Sequence, residues 1–487
     1  MGIDPQDAVE LFLDDELLSF KENIETRIES PERFPEPIMA PEYPWEKGGT
    51  TLYGSVLIDD GIFRMWYMAC GESGQQTMCH AESLNGLSWQ KTMMTLAPYA
   101  ESKLTNIVLG PDINVHGPCV LRNQNRQDIQ RKYLVFYDSY AKYRAEEKNL
   151  QSSARWTFTG SSSDGFIWAP AKGIPAVPGK SDTGQSVIWD QKKGRYLAYM
   201  RGVMYDHSRQ RIRYVRLSTS SDFVNWSSPV ELLRAEQING DAYNQLHQLS
   251  VTLYHNTYIG LLSYFHILEL DRDSSGVPTY NSRPYPELAS CDTWLAVSRD
   301  GIPWKLVSDK MPFLALRPGH WDGMFITTAS QLVFHDKQIW IYYAGTSTRQ
   351  GEKDQMEVKS IGVSRLPAER LAALATKNAL ADGLIELKPI IFRSPDELEL
   401  NVQVHPGGNI AVELCDYAGK VITGFSRDDC VHINADSLRY PVTWKSEKGP
   451  KRFADITAKT REQPIRIRFY LKNAKLYAFN AAHKLAV

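Results

Sequence analysis

The hairpin pattern of this chain is clearest in Gly184-Gln185-Ser186-Val187-Ile188-Trp189-Asp190, followed after a polar turn by Arg195-Tyr196-Leu197-Ala198-Tyr199-Met200. Apolar, β-branched and aromatic residues fill both halves, and this pattern around a polar turn is typical of a β-hairpin. The same hairpin pattern recurs along the chain, with further copies beginning at Tyr53, Gly117, Leu249 and Ala329. The chain is therefore read as five successive repeats, called the first to the fifth repeat below.

A second sequence motif follows the hairpins and supports the interpretation of the chain as successive repeats. It reads Ser162-Ser163-Asp164-Gly165-Phe166-Ile167-Trp168 in the second repeat, with counterparts at residues 83–89, 220–226 and 298–304. We interpret it as a strand ending in Ser, a turn containing Asp or Asn, and a Trp that packs back over the sheet. Four-stranded repeats spaced by about 60–80 residues predict a five-bladed β-propeller. A β-sandwich of unrelated hairpins is the alternative.

The pattern divides the chain into three parts. Residues 1–45 are expected to form an N-terminal extension that packs on the propeller, and residues 46–370 form the propeller itself, the expected catalytic domain. From residue 383 to residue 487 the strands become shorter and alternate more strictly, which predicts a C-terminal β-sandwich. The predicted fold class is therefore all-β.

Composition excludes several classes of function. With a net charge of −2 among 487 residues, the chain offers no electrostatic reason to bind nucleic acid or an anionic membrane. The six cysteines show no CxxC spacing, so free thiols in a reducing compartment are expected rather than a zinc or redox site. The N-terminus has neither a basic nor an apolar signal region, which predicts the cytoplasm, or the periplasm if a signal peptide has been removed.

Candidate site residues come from the start of each repeat. In a propeller the N-terminal ends of the innermost strands meet at one mouth of the central channel, so residues just before those strands approach one another. The catalytic candidates found there are Asp182, Asp241, Glu46, Asp112 and His116. The candidates for substrate binding are Trp45, Gln185, Arg201, Tyr243, Asn244, His247, Arg317, Trp321 and Asp322.

Carboxylates grouped around one channel mouth perturb each other's pKa values, as acid/base cleavage of a glycosidic bond requires. Each of these Asp residues could instead be a turn cap, and each His a structural hydrogen-bonding group.

These repeats resemble the five-bladed propeller glycosidases of glycoside hydrolase families 43, 32, 68 and 117. Ser221-Asp222-Phe223-Val224-Asn225-Trp226 is similar to the Ser-x-Asp-Leu-x-x-Trp phrase of family 43. Tyr53-Gly54-Ser55-Val56, Arg64-Met65-Trp66-Tyr67 and Arg317-Pro318-Gly319 resemble a bacterial group labelled as family-32-like glycosidase domains. The family-32 phrase Asn-Asp-Pro-Asn-Gly is absent, and the Asp, Asp, Glu pattern of family 43 is incomplete because the third repeat offers Asp182 and no Glu.

The resemblance implies an exo-acting glycosidase for a plant or algal oligosaccharide, with Asp182 and Asp241 as the leading catalytic carboxylates. By resemblance to family 117, His116 or His247 would serve as the acid. No cofactor is required, although the resemblance allows a structural calcium ion in the channel; its ligands stay unassigned. Two other functions stay open: a non-catalytic glycan-binding propeller, and a phosphorylase similar to family 130 that would use Arg201, Arg317 and His320 for phosphate.

Overall fold

The computed structural model describes residues 9–140, 155–170, 175–182, 184–205, 211–239, 244–270, 274, 287–352, 358–456 and 463–485. Its regular structure is almost entirely β, with one short α-helix at Ala235–Asn239, so the predicted all-β class is confirmed. Two compact units are present. Residues 31–253 and 258–365 form the repeat domain, and residues 1–30, 254–257 and 366–487 form the second domain.

The strands in chain order are β1 (Val9–Leu11), β2 (Leu18–Glu22), β3 (Ile24–Ile28), β4 (Glu32–Arg33), β5 (Thr50–Asp59), β6 (Ile62–Cys70), β7 (Gln76–Ser83), β8 (Gln90–Lys91), β9 (Ile107–Leu109), β10 (His116–Arg122), β11 (Tyr133–Tyr140), β12 (Arg155–Ser162), β13 (Ala169–Pro170), β14 (Val177–Lys180), β15 (Ser186–Asp190), β16 (Arg195–Tyr205), β17 (Arg211–Ser220), β18 (Val230–Leu233), β19 (Gln245–Tyr254), β20 (Thr257–Leu270), β21 (Glu287–Ser298), β22 (Lys305–Leu306), β23 (Phe325–Thr328), β24 (Val333–His335), β25 (Gln338–Thr346), β26 (Ser360–Pro367), β27 (Ala372–Thr376), β28 (Gly383–Leu387), β29 (Ile390–Cys415), β30 (Asp436–Pro441) and β31 (Arg466–Leu485).

Each repeat begins with the predicted antiparallel hairpin. The first three repeats form separate sheets in the orders β5-β6-β7-β8, β10-β11-β12-β13 and β15-β16-β17-β18. The fourth and fifth repeats belong to one connected sheet, because a parallel bridge between Cys291 and Phe325 links β21 to β23. The predicted insertion at residues 271–286 lies, apart from residue 274, outside the described residues.

Hydrogen bonds join the beginnings of the repeats to one another. They run from Val120 N to Ser55 Oγ (2.9 Å), from Val187 N to Cys119 Sγ (3.4 Å), from Val251 N to Ser186 Oγ (2.9 Å) and from Leu332 N to Thr252 Oγ1 (2.8 Å), and they include the pair Ser330 Oγ and Ser55 Oγ (2.6 Å). Each bond links one repeat to the next, and the last links the fifth repeat to the first. Because these polar atoms are buried, the bonds also satisfy groups that would otherwise be costly to bury.

The fifth repeat takes its last strand from the beginning of the chain. Strand β4 pairs antiparallel with β26, so that Arg33 lies opposite Ser364 and Glu32 opposite Arg365. A further bridge joins Met39 to Ile361. Residues 31–45 therefore belong to the repeat domain, which starts earlier than the predicted boundary at residue 46.

The Ser-Asp-Gly phrase forms the expected turn. In the second repeat, Ser162 Oγ accepts a hydrogen bond from Gly165 N at 2.8 Å, and Asp164 Oδ1 accepts one from Phe166 N at 2.8 Å. The Trp168 indole donates back to the Gly165 carbonyl at 3.2 Å. The same carbonyl also accepts a bond from Trp66 of the first repeat at 2.8 Å, so this turn connects neighbouring repeats.

Replacing Gly165 with alanine is expected to destabilise the repeat domain by about 2–4 kcal/mol. Gly165 has a φ of +87°, and an added Cβ would lie 2.7 Å from Trp66 Cζ2, so backbone strain and overpacking act together. Gly194→Ala is the matched control, because Gly194 has a φ of +60° with nothing within 4 Å of the added Cβ; about 1 kcal/mol is expected there. Urea denaturation measures both variants, and equal losses would contradict the proposed contact with Trp66.

The second domain contains one connected eight-stranded sheet. Its two long strands, β29 and β31, pair antiparallel from Ile390 opposite Leu485 to Cys415 opposite Arg466. Apolar side chains including Trp444 and Phe469 are fully buried in its core. Strands β1 and β2 pair with β31 and β28, and β3 pairs with β27. Residues 9–28 thus contribute three strands to this domain, which differs from the single extension predicted for residues 1–45.

Candidate functional site

One open cleft of about 480 Å³ receives residues from all five repeats. Its polar and aromatic lining consists of Thr51, Tyr53, Gln76, His116, Arg155, Asp182, Arg201, Arg211, Arg213, His247, Arg349, Gln350, Glu352 and Lys359. An adjoining cavity of about 540 Å³ shares Arg155, Asp182, Arg201 and Arg211 with it. Asp182, His116, Arg201 and His247 were all predicted from the sequence as site residues, and the structure brings these four together in the cleft.

Asp182 is held between arginines at the border of the two cavities. Arg155 Nη1 and Arg201 Nη2 both donate to its carboxylate, the latter at 2.7 Å. His116 Nε2 lies 3.5 Å from the same carboxylate. Burial alone would raise the pKa of Asp182, but the positive charges of Arg201 and Arg155 outweigh it and hold that pKa well below its usual range. Asp182 is therefore a carboxylate that stays ionised in neutral and mildly acidic solution.

Two buried histidines face this carboxylate and its arginines. Burial lowers the pKa of His116 and of His247 well below the ordinary value, and the nearby charges of Arg201 and Lys359 act in the same direction on both. His247 Nε2 lies 2.5 Å from the Tyr53 hydroxyl, and Arg201 Nη1 lies 3.5 Å from His247 Nδ1. Because an arginine only donates, Nδ1 acts as the acceptor and Nε2 carries the ring proton. Both imidazoles are neutral at physiological pH.

Basic side chains dominate the lining of the cleft. Among the residues that the structure describes there, six are Arg or Lys and two, Asp182 and Glu352, are carboxylates. Glu287, which pairs with Arg211 and Arg213, lies next to this lining. Burial, followed by the charge of Arg211, lowers the pKa of Arg213 to about 10. The described lining therefore holds more basic than acidic side chains, which was not predicted from the strand ends in the sequence.

Glu46 and Trp45 serve the packing of the first repeat. The buried Glu46 carboxylate accepts hydrogen bonds from the Tyr67 hydroxyl at 2.6 Å and from Lys91 Nζ at 2.7 Å. The Trp45 ring stacks on Tyr43, and its indole donates to an amide oxygen at 2.9 Å. Neither residue belongs to the described lining of the cleft, because both side chains point into the core beside the first sheet.

Asp322, Arg317 and Trp321 also have internal partners. Asp322 is fully buried and accepts hydrogen bonds from Arg317 Nη2 at 2.8 Å, Tyr343 Oη at 2.9 Å and Arg33 Nη1 at 3.4 Å. Trp321 stacks on the Tyr343 ring and donates to a backbone carbonyl. This cluster links β4 to the fifth repeat and is not part of the described cleft lining.

The remaining candidates are scattered. Asp112 is exposed in a turn, and Asn244 accepts a hydrogen bond from the backbone of Ile267 at 3.3 Å. Gln185 is buried. None of these three is among the described residues that line the cleft. Asp241 and Tyr243 lie outside the described residues.

Asp138 is a buried carboxyl that the sequence analysis missed. It lies on β11 opposite His116 and Thr157, and the Thr157 hydroxyl donates to its Oδ1 at 2.8 Å. Burial raises the pKa of Asp138 to about 6, and the negative charge of Asp182 adds to this effect. Two neighbouring carboxyl groups with pKa values shifted in opposite directions are a pattern found in acid/base sites. Its alternating strand position was indistinguishable from that of a core residue in the sequence.

Asp138→Asn is expected to make the protein more stable than the wild type at pH 8 and nearly equal to it at pH 4. A carboxyl group whose pKa is raised on folding adds stability below about pH 4 and loses it as the pH rises through about 6. At about 1.4 kcal/mol per pKa unit, the gain at pH 8 is on the order of 2–3 kcal/mol. Urea denaturation at both pH values measures it, with the exposed-residue variant Asp309→Asn as control. A variant less stable at pH 8 than the wild type would contradict a raised pKa.

Metal binding finds no support in the described side chains. Among the residues that the structure describes, no group of three His, Cys, Asp or Glu side chains is placed to hold a metal ion. Calcium prefers several carboxylate and carbonyl oxygens, whereas Asp182 is paired with Arg155 and Arg201. The donors that the structure describes in the cleft therefore do not fit the calcium ion that the resemblance allowed. Within the described part of the chain, no helix is long and apolar enough to cross a membrane.

Comparison with known proteins gives distant likenesses in structure. No family model and no curated protein matches the sequence. A solved "Glycoside hydrolase" is similar at 14% identity and a TM-score of 0.47 over 69% of this chain and 92% of its own. An N-acetylgalactosamine deacetylase from F. plautii shares 11% identity (TM-score 0.46; 72% and 97% covered), and a β-1,2-mannobiose phosphorylase from Listeria innocua also shares 11% (TM-score 0.45; 72% and 99% covered). At these values the likenesses carry no conclusion about substrate or mechanism.

Proposed function

We propose that the repeat domain is a closed five-bladed β-propeller. Three independent sets of contacts support closure: the hydrogen bonds from repeat to repeat, which include Ser330 with Ser55, the pairing of β4 with β26, and the bond from Tyr342 of the fifth repeat to the Gly86 carbonyl of the first at 3.0 Å. A chain that takes its last outer strand from its beginning leaves no free edge between the first and last blades.

We further propose that the protein is a glycoside hydrolase acting from the end of a plant or algal oligosaccharide. The observation that carries this proposal is a cleft to which all five repeats contribute, with an ionised carboxylate, Asp182, at its border with the adjoining cavity. A cleft of about 480 Å³ has the size of a small-molecule site, which suits the terminal part of a glycan. Exposed Tyr205 of the adjoining cavity offers an aromatic face for a sugar ring.

The charge of Asp182 indicates which catalytic role this carboxylate would take. Asp182 stays ionised, so it suits the role of base, nucleophile or stabiliser of positive charge in the oxocarbenium-like transition state, and not that of proton donor. Asp241, the other leading catalytic carboxylate predicted from the sequence, is the proton donor in this proposal. The alternative, phosphorolysis, is favoured by the basic lining, because inorganic phosphate would bind well among Arg155, Arg201 and Lys359.

Product release from neutral and acidic oligosaccharides, with and without inorganic phosphate, tests the proposal. Hydrolysis predicts release of a monosaccharide without phosphate, and phosphorolysis predicts a sugar phosphate only when phosphate is added. Chromatography separates the two products. If no glycan is cleaved, yet some raise the melting temperature of the protein, the enzyme proposal is contradicted and a glycan-binding propeller takes its place.

A further inference from the structure

We propose that one buried water molecule joins Asp138 to Ser181 and Gln185. Through this water, Asp138 positions the short segment of chain that carries Asp182. Ser181 comes directly before Asp182 in the sequence, and Gln185 comes three residues after it, so the water holds this segment at both of its ends. The water site stands on its own observations, whereas its effect on catalysis rests on the proposed function and deepens it. Asp138 is in this role a positioning residue and not a catalytic one.

All three side chains carry buried polar atoms that have no hydrogen-bond partner in the described part of the chain. Asp138, Ser181 and Gln185 are only 0%, 4% and 2% exposed. The atoms concerned are Asp138 Oδ2, Ser181 Oγ and both the nitrogen and the oxygen of the Gln185 amide. Leaving a buried polar group unpaired is costly, so such groups nearly always bond to the protein or to ordered water. Four such atoms on three side chains therefore indicate a bound polar molecule.

These three side chains lie beside one another. Asp138 on β11 is directly opposite Thr157 on β12, and the Ser181 backbone N–H donates to the Arg155 carbonyl, also on β12, at 3.0 Å. Burial raises the pKa of Asp138 to about 6, while the side chains of Ser181 and Gln185 act in the opposite direction, which requires both to be close to its carboxyl group. Because Ser181 Oγ and the Gln185 amide are close to this carboxyl group without a direct hydrogen bond, a bridging water accounts for their arrangement.

The molecule that fills this site must both donate and accept hydrogen bonds. Gln185 presents an N–H₂ donor and an oxygen acceptor, and Asp138 Oδ2 accepts when the carboxyl group is ionised. A water molecule offers two donors and two acceptors, and buried waters typically have about three polar partners. A cation would serve the oxygen atoms and leave the Gln185 N–H₂ group unpaired. Each of the four atoms exposes less than 1 Å², which fits water and excludes a larger solute.

The water site lies behind a carboxylate whose position matters. Arg201 Nη2 donates to the Asp182 carboxylate at 2.7 Å, and Arg155 Nη1 donates to it as well. A shift of the backbone on either side of Asp182 would change both of these bonds. Displacing a reacting group by about 1 Å can lower the rate about 10²-fold. The water-mediated bonds of Asp138 therefore act on catalysis through the position of Asp182.

A crystal structure of the wild-type protein, at a resolution that shows ordered water, tests the bridge without any substrate. We expect a water molecule within about 2.6–3.2 Å of Asp138 Oδ2, Ser181 Oγ and one atom of the Gln185 amide. Direct hydrogen bonds among the three side chains, without a water, would overturn the water site. In the crystal structure of Asp138→Leu, the Asp182 carboxylate should move by about 1 Å relative to Arg201. An unmoved carboxylate would overturn the positioning role.

Kinetics distinguish positioning from a merely structural role of Asp138. Asp138→Asn keeps an acceptor for Thr157 and a donor for the water, so its kcat should stay within about threefold of the wild-type value. Asp138→Leu keeps the size of the side chain but removes both polar atoms, and its kcat should fall about 10²-fold with little change in KM. Equal losses in the two variants would overturn the proposal, because only the leucine variant loses the bond to the water.

A pair of serine variants provides a milder test. Ser181→Ala removes one partner of the water and should lower kcat about tenfold. Ser218→Ala is the matched control, because it removes an equally buried hydroxyl that donates to the Ser227 carbonyl at 2.7 Å, and it should leave kcat unchanged. If Asp138→Leu fails to fold, this pair decides, and equal kcat values for the two serine variants would overturn the positioning role. A bridging water in a protein that cleaves no glycan would uphold the water site and contradict the hydrolase, whereas cleavage with normal kcat in Ser181→Ala and Asp138→Leu would contradict the positioning role alone.

Discussion

Replacing Asp182 with asparagine is expected to lower kcat/KM by roughly 10²–10⁴-fold, the range found for positioned acid/base groups. The amide keeps the size of the side chain but removes the ionised oxygen that the proposed function assigns to the reacting sugar. It also turns an amide N–H₂ toward Arg155 or Arg201, both of which can only donate. The substituted cleft would therefore lose its central negative charge and the arrangement of its arginines.

The fold should survive this change. The Asp182 side chain is 40% exposed, so solvent screens its ion pairs, and a loss in the free energy of unfolding of about 1 kcal/mol or less is expected. Asp222→Asn is the matched control, because Asp222 lies outside the cleft and an asparagine also accepts the turn bonds from Val224 and Asn225. Initial rates of glycan cleavage measure the loss of activity, and thermal unfolding of the same variants measures whether the fold survives. An Asp182 variant that keeps more than about a tenth of the activity would contradict the central role of this carboxylate.

Asp322→Ala is expected to lose about 3–5 kcal/mol of folding free energy, the largest stability effect among these predictions. The carboxylate is fully buried between Arg33, Arg317 and the Tyr343 hydroxyl. Its removal would leave the Arg33 guanidinium, whose side chain is 8% exposed, without its anionic partner. Because Arg33 belongs to β4, the loss should also loosen the strand that completes the fifth repeat.

Chemical denaturation with a spectroscopic probe measures this loss. Asp309→Ala serves as control, because Asp309 is exposed and such surface changes stay within about 0.5 kcal/mol. Asp322 was predicted from the sequence to bind substrate, so the activity of the variant is a second measurement that distinguishes a binding role from a structural one. An Asp322 variant that folds with wild-type stability but has lost activity would support the sequence-based role and contradict the structural one.

Periodicity in the sequence was sufficient to predict the all-β class and the five hairpins. Alternating apolar residues and the Ser-Asp-Gly turns depend on neighbours a few residues apart, and the hydrogen bonds of Ser162 and Asp164 show the expected local geometry. Asp182, His116, Arg201 and His247 were also predicted to meet. Each of them lies at or near the start of the first strand of a hairpin, or at the end of the second strand. The repeat pattern is enough to identify these positions in the sequence.

Arg155, Arg211 and Arg213 could not be assigned in the same way. They lie on β12 and β17, the strands next to the hairpins, and reach the cleft because those strands run back toward the same mouth. In the sequence their alternation with apolar residues is the pattern of any half-buried strand. Their effect on Asp182 and on the two histidines depends on distances between repeats.

The repeat, the strand pattern and the turns could be predicted without the structure, because they follow from interactions between residues close along the chain. The three-dimensional arrangement was needed to tell which carboxylates are partners of buried cations and which face the cleft. Glu46 and Asp322 precede strands just as Asp182 does, but Lys91 and Arg317 hold them inside the protein. The same holds for residues 9–28, which pair with strands from the far end of the chain. Ion pairing and strand pairing between distant segments depend on three-dimensional proximity, which local periodicity does not encode.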